Sequence, residues 1–166
     1  MTKFIKVAIL FAILCGSVSH SAKNARKNTN DADTLAGAKV AVKTEENKPT
    51  NDASYWGDVM NAIIQVESGG NSRAVNGKYA GAMQIAPVLV KECNNILKQR
   101  NLSKRFTLSD RFSIAKSKEM FLLIMSRYNP SKDIEKGIRI WNGGCNYRKA
   151  STNGYFRKVM RMMSKA

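Results

Sequence analysis

A single histidine, His20, is all that the 166 residues contain. It lies inside what reads as an export signal, so the folded part is expected to hold none. That excludes serine or cysteine nucleophiles activated by an imidazole. It also removes the Cys/His cluster that a catalytic zinc needs, and no metal or cofactor is implied. Acidic residues are scarce too, 12 against 28 Lys plus Arg, for a net charge of +16. Whatever chemistry is done must use carboxylates, hydroxyls, amides or lysines. Only three cysteines occur. Cys15 falls in the signal, which leaves Cys93 and Cys145. In an oxidising compartment they are a candidate disulfide, worth roughly 4 kcal/mol in the chain-entropy model. Two separate buried thiols, packed as small apolar residues, are the alternative, and the sequence leaves both open. Long apolar runs are missing as well. The longest, Val7 to Cys15, is far short of the about 20 residues that a membrane-spanning helix needs. No membrane span is therefore expected in the mature form.

That short run is informative in another way. Lys3 and Lys6 precede it, and small and polar residues from Gly16 to Ala22 follow it. This is the order of a secretory signal peptide, so residues 1–22 read as a signal and the protein as exported, to the periplasm or cell envelope. Residues 23–54 carry no aromatic residue and no sustained apolar period. Ordering them would bury too little to offset the entropy cost, so they read as a polar, disordered linker.

From Tyr55 the pattern turns helical. Val59, Ile63 and Val66 recur at helix spacing within Tyr55–Glu67, and Ser68-Gly69-Gly70 ends the segment. A second helix starts at Pro87 with Leu89, Cys93, Ile96 and Leu97 on one face. A third is expected from Ser109 to Tyr128, a fourth from Asp133 to Trp141 and a fifth from Tyr155 to Met163. No strand alternation is visible. The reading is an all-α domain at residues 55–166. Most of the positive charge sits in it, and an exported domain so basic should be drawn to polyanions, although solvated helix faces would look the same.

Glu67 does not fit its helix. It lies four residues after Ile63 and eight after Val59, so it continues the apolar stripe. It also stands at the helix C-terminus, where the macrodipole disfavours a carboxylate. Desolvation and dipole both favour the protonated form, which a general acid for glycosidic cleavage requires. The plain alternative is a glutamate that leans into water or pairs with a lysine.

Three segments follow in order: Glu67-Ser68-Gly69-Gly70-Asn71, then Gly81-Ala82-Met83-Gln84, then Trp141-Asn142-Gly143-Gly144. With the closing Gly154-Tyr155-Phe156 they resemble the soluble lytic transglycosylase family. The resemblance implies a small lysozyme-like helical domain that acts on peptidoglycan strands, working as a monomer with no nucleic-acid partner. It implies that Glu67 protonates the oxygen between N-acetylmuramic acid and N-acetylglucosamine, then takes the proton of the muramyl 6-hydroxyl as that group closes a 1,6-anhydro ring. By the same resemblance Ser68 bonds at the catalytic carboxyl, Asn71 belongs to the first sugar-binding motif, and Gln84 and Asn142 hold sugar groups. Gly81 and Met83 shape the groove floor and Tyr155 packs beneath it, though Met83 and Tyr155 could equally be core. Trp141 stands where the family carries a tyrosine whose hydroxyl lies near the carboxyl, and an indole can donate but not accept. The Asn-x-x-Gly that the family places before a long helix is not seen near Ser113. Lysozyme-type hydrolysis is the nearest rival and needs a second carboxylate about 5–9.5 Å from the first, for which Glu92, Asp110 and Asp58 are the conceivable partners. A non-catalytic basic wall-binding module is the other. Secretion, conjugation or other envelope-spanning assemblies are conceivable partners.

Overall fold

The computed structural model describes residues 51–165. The expected signal peptide and nearly all of the expected linker lie outside the described residues. Within them the chain is mostly helical. Helix α1 (Asn51–Tyr55) begins inside the segment read as linker, so the helical domain starts earlier than Tyr55. Trp56, with ψ of 1°, separates it from α2 (Gly57–Ser68), and the single helix read over Tyr55–Glu67 is therefore two.

Helix α3 (Pro87–Gln99) opens on the expected proline and buries Leu89, Val90, Cys93, Ile96 and Leu97. The long third helix is divided. Ser109–Phe112 is a 3-10 turn, and α4 runs from Ile114 to Tyr128. The divider is Ser113, whose side chain accepts the Lys116 N–H and caps α4. A side chain that satisfies an orphan amide favours a helix start over continuation. Asp133 does the same for α5 (Ile134–Gly143) by accepting the Lys136 N–H. Helix α6 (Asn153–Met163) closes the domain and packs across α2 and α5. Among the described residues no helix is long and apolar enough to cross a membrane.

The absence of strands is corrected by a small hairpin. β1 (Val75–Asn76) pairs antiparallel with β2 (Tyr79–Ala80). Each strand is two residues long, too short for any alternation to show in sequence. The turn is at Gly77, in the left-handed region at φ 58°.

The core is centred on α4, whose Met120, Phe121 and Ile124 are fully buried. Phe121 stands between two tryptophans, with ring centroids 5.5 Å from Trp56 and 5.2 Å from Trp141. Burying each such side chain contributes roughly 1.5–3 kcal/mol. Trp56 lies directly on the backbone of α5. A Cβ at Gly137 would come within 2.7 Å of its ring, so only glycine allows this approach.

Candidate active site

Glu67 occupies the last turn of α2, partly buried. The helix ends because Gly69 and Gly70 adopt φ of 63° and 86°, a region open to glycine at little cost. Tyr155, in the first turn of α6, donates its hydroxyl proton to Glu67 Oε1 at 3.0 Å. Two residues far apart in sequence are thereby fixed together. Burial of the hydroxyl end, the charge of Glu67 and this hydrogen bond together push the Tyr155 pKa well above its ordinary value. The phenol therefore remains a donor throughout the neutral range. A donated O–H also favours the ionised carboxylate, which opposes the effect of burial and of the helix end. Tyr155 packs against the core and places its phenol on Glu67.

Trp141 itself is core. It is 3% exposed and packed on Phe121, so it has almost no surface to offer a sugar. Its neighbour Asn142 is a different case. Asn142 Oδ1 is buried and has no hydrogen-bond partner. A buried acceptor without a donor is uncommon in folded proteins and calls for an explanation.

Ser68 is a tie between segments. Its hydroxyl donates to the Ala82 carbonyl at 2.8 Å, and a hydroxyl has only one proton to give. The end of α2 is thus fastened to the Gly81–Gln84 turn. Gly81 must be glycine, because a Cβ there would fall 1.6 Å from the Arg111 carbonyl oxygen and its φ is +79°. Arg111 lies outside the motif segments. Its guanidinium also donates to the carbonyls of Lys78 and Ile85, both at 3.2 Å, and holds the hairpin against α4's approach. Sequence gives no sign of this role, since the carbonyl that matters belongs to every residue alike.

Met83 is fully buried and joins the core rather than lining a floor. Gln84 is buried at φ 50°, a conformation that costs a non-glycine residue about 1–3 kcal/mol when over-determined by its surroundings. Its amide donates to the carbonyls of Gly81 at 2.9 Å and Ala74 at 3.1 Å. Both amide protons are therefore committed to backbone, and the carbonyl end is an acceptor only. Asn71 is exposed and accepts the Arg73 N–H at 2.9 Å, the turn that launches the hairpin segment.

The two cysteines are separate thiols. Cys93 is buried against α4, with Sγ 3.8 Å from the Met120 carbonyl, while Cys145 is exposed. Burial first, and the charge of Glu92 second, push the Cys93 pKa far up, so that thiol is inert.

The conceivable second carboxylates have other duties. Glu92 accepts from Tyr128 at 2.6 Å and from Asn95 at 3.4 Å. Asp110 accepts from the Thr107 amide and hydroxyl. Asp58 is on α2 itself, nine residues before Glu67 and so about 13 Å away along the axis. That exceeds the separation that paired-carboxylate hydrolysis uses.

The chain matches no protein-family model, no curated protein and no solved structure.

Proposed function

We propose that this chain is an exported lytic transglycosylase of lysozyme-like fold that cleaves peptidoglycan between N-acetylmuramic acid and N-acetylglucosamine. The observation that carries the reading is the Tyr155–Glu67 bond. It orients one oxygen of a partly buried carboxyl at a helix end, where acid–base work on a glycosidic bond needs a single fixed group. The Ser68–Ala82 bond supports it further by joining the first two motif segments. So does Asn142, whose buried acceptor oxygen is suited to an amide or hydroxyl proton of a sugar.

In this mechanism Glu67, protonated, gives its proton to the glycosidic oxygen as the bond to the muramyl anomeric carbon breaks. The resulting carboxylate takes the proton of the muramyl 6-hydroxyl while O6 bonds to the same carbon. A 1,6-anhydro ring forms, the proton returns to Glu67 and no water is consumed. Asp58 lies too far along α2 for a flanking carboxylate, which supports attack by the substrate's own hydroxyl over hydrolysis. The test is digestion of purified sacculi by wild type and by Glu67→Gln, with mass analysis of the products. Products lighter by one water than hydrolysed muropeptides are expected from wild type and none from the variant. Hydrated products would make it a muramidase, and clearing by the variant, or by neither protein, would remove the enzymatic reading.

A further inference from the structure

A polar groove of about 590 Å³ opens between the start of α5 and the turns that follow it. Small-ligand sites commonly measure roughly 300–1,000 Å³. Asn153 lines this groove, and on α6 it points about 200° away from Tyr155 around the helix axis. The groove is therefore on the other flank of α6 from Glu67.

Its charges are unequally occupied. Asp133 accepts the Lys136 N–H at 2.9 Å as the cap of α5. Glu135 accepts from Arg139 Nε at 2.7 Å. Arg139 also donates to Thr152 at 2.8 Å and Asn153 at 2.6 Å, and its guanidinium lies 4.9 Å from the Phe156 ring centroid. Of these three side chains Arg139 holds α5 to α6, and the two carboxylates are engaged within α5. Lys136 and Arg148 are different, since neither has a carboxylate within ion-pair distance among the described residues. Both stand by one aromatic ring, Lys136 at 5.9 Å and Arg148 at 5.5 Å from the centroid of Tyr147. Arg148 Nε donates to the Tyr147 hydroxyl at 3.0 Å, which leaves the phenol's own proton to donate elsewhere. An ammonium, a guanidinium edge and a phenol thus present donors to one groove. That set matches a carboxylate, which an arginine edge can grip with two bonds.

We propose that this groove binds the carboxylate-bearing peptide stem of the wall strand. The identity of the ligand rests on the transglycosylase reading; the anion site itself does not. A stem peptide fits better than a phosphate polymer because Asp133 and Glu135 share the groove. Their carboxylates repel a chain of phosphates, whereas a stem also carries an ammonium that they can meet. A stem bound there gives the enzyme a preference for strands whose peptides are still attached.

Titration calorimetry on the intact chain tests this with three probes: a sugar-free stem tetrapeptide with free carboxyls, the same peptide amidated, and a glycerol phosphate oligomer of equal charge. The free-acid peptide should bind, and amidation or the Lys136→Gln/Arg148→Gln double variant should weaken it by about tenfold or more. Tyr147→Phe, which removes one hydroxyl, should give a smaller loss. Glu67→Gln should bind as wild type does. No binding to wild type, equal binding by the double variant, or tighter binding of the phosphate oligomer would overturn the proposal. Wall digestion that survives Glu67→Gln would sink the transglycosylase reading while leaving these binding results in place.

Discussion

Two carboxyl–phenol pairs are built into this domain, and they do different things. Tyr128 donates to Glu92 at 2.6 Å, and Tyr155 donates to Glu67 at 3.0 Å. In both, burial is the leading cause that raises the phenol's pKa, with the glutamate adding to it. Their settings diverge. Glu92 sits in the body of α3, receives a second bond from Asn95, and fastens α3 to the end of α4. Glu67 sits at a helix end, ahead of two left-handed glycines and on the segment that Ser68 ties to the Gly81–Gln84 turn, where Gln84 is strained. A tyrosine on a glutamate is therefore no mark of a site by itself. What distinguishes Glu67 is the backbone around it.

The sharpest way to break this contrast is to neutralise each acid in turn. Glu67→Gln should lower turnover of sacculi by about 10²–10⁴, the usual worth of a positioned acid–base group, whereas Glu92→Gln should leave turnover near wild type and lower the melting temperature. Comparable losses of activity in both would erase the distinction. Next in size is Gly81→Ala. Its methyl would meet the Arg111 carbonyl at 1.6 Å, and a loss of about 3 kcal/mol in denaturant unfolding is expected, with activity lost through the turn beside Glu67. The phenols come third. Tyr155→Phe should slow turnover about tenfold, about 1.4 kcal/mol of orientation. Tyr128→Phe should instead cost about 1 kcal/mol of stability at unchanged turnover. The smallest effect is in alkali. Both phenols are raised above the ordinary tyrosine value of 10.0, so the folded state holds their protons more tightly than the unfolded one. Their contribution is complete below pH 10 and is lost as pH rises through the folded values. Melting temperature should decline in that window, and each Tyr→Phe variant should flatten the decline.

Local signals were readable where one residue's chemistry decides the outcome. Pro87 and the apolar face Leu89, Cys93, Ile96 and Leu97 delimit α3 as observed. Glu67 stands out because a carboxylate on an apolar stripe conflicts with its helix, and the structure gives it a partly buried partner. Ser113 was also legible in principle, as a capping side chain in the middle of an apparent helix. The rest depended on contacts between distant segments. Nothing in Ser68 or Gln84 says that their protons go to backbone carbonyls. Trp141 reads the same whether it faces a groove or the rings of the core. Cys93 and Cys145 look like a pair until α3 turns one of them toward α4.

The placement of Trp56 reaches beyond the fold. It is the last residue before α2, yet its ring is 2% exposed and wedged between Gly137 and Phe121. Just upstream, Tyr55 donates to the Lys132 carbonyl at 2.7 Å and Asp52 pairs with Lys132 at 2.6 Å, which secures that wedge. A protease that shaved the chain back to α2 would therefore take the keystone with it. The domain's lifetime against proteases is set at this junction, at the opposite end of α2 from Glu67.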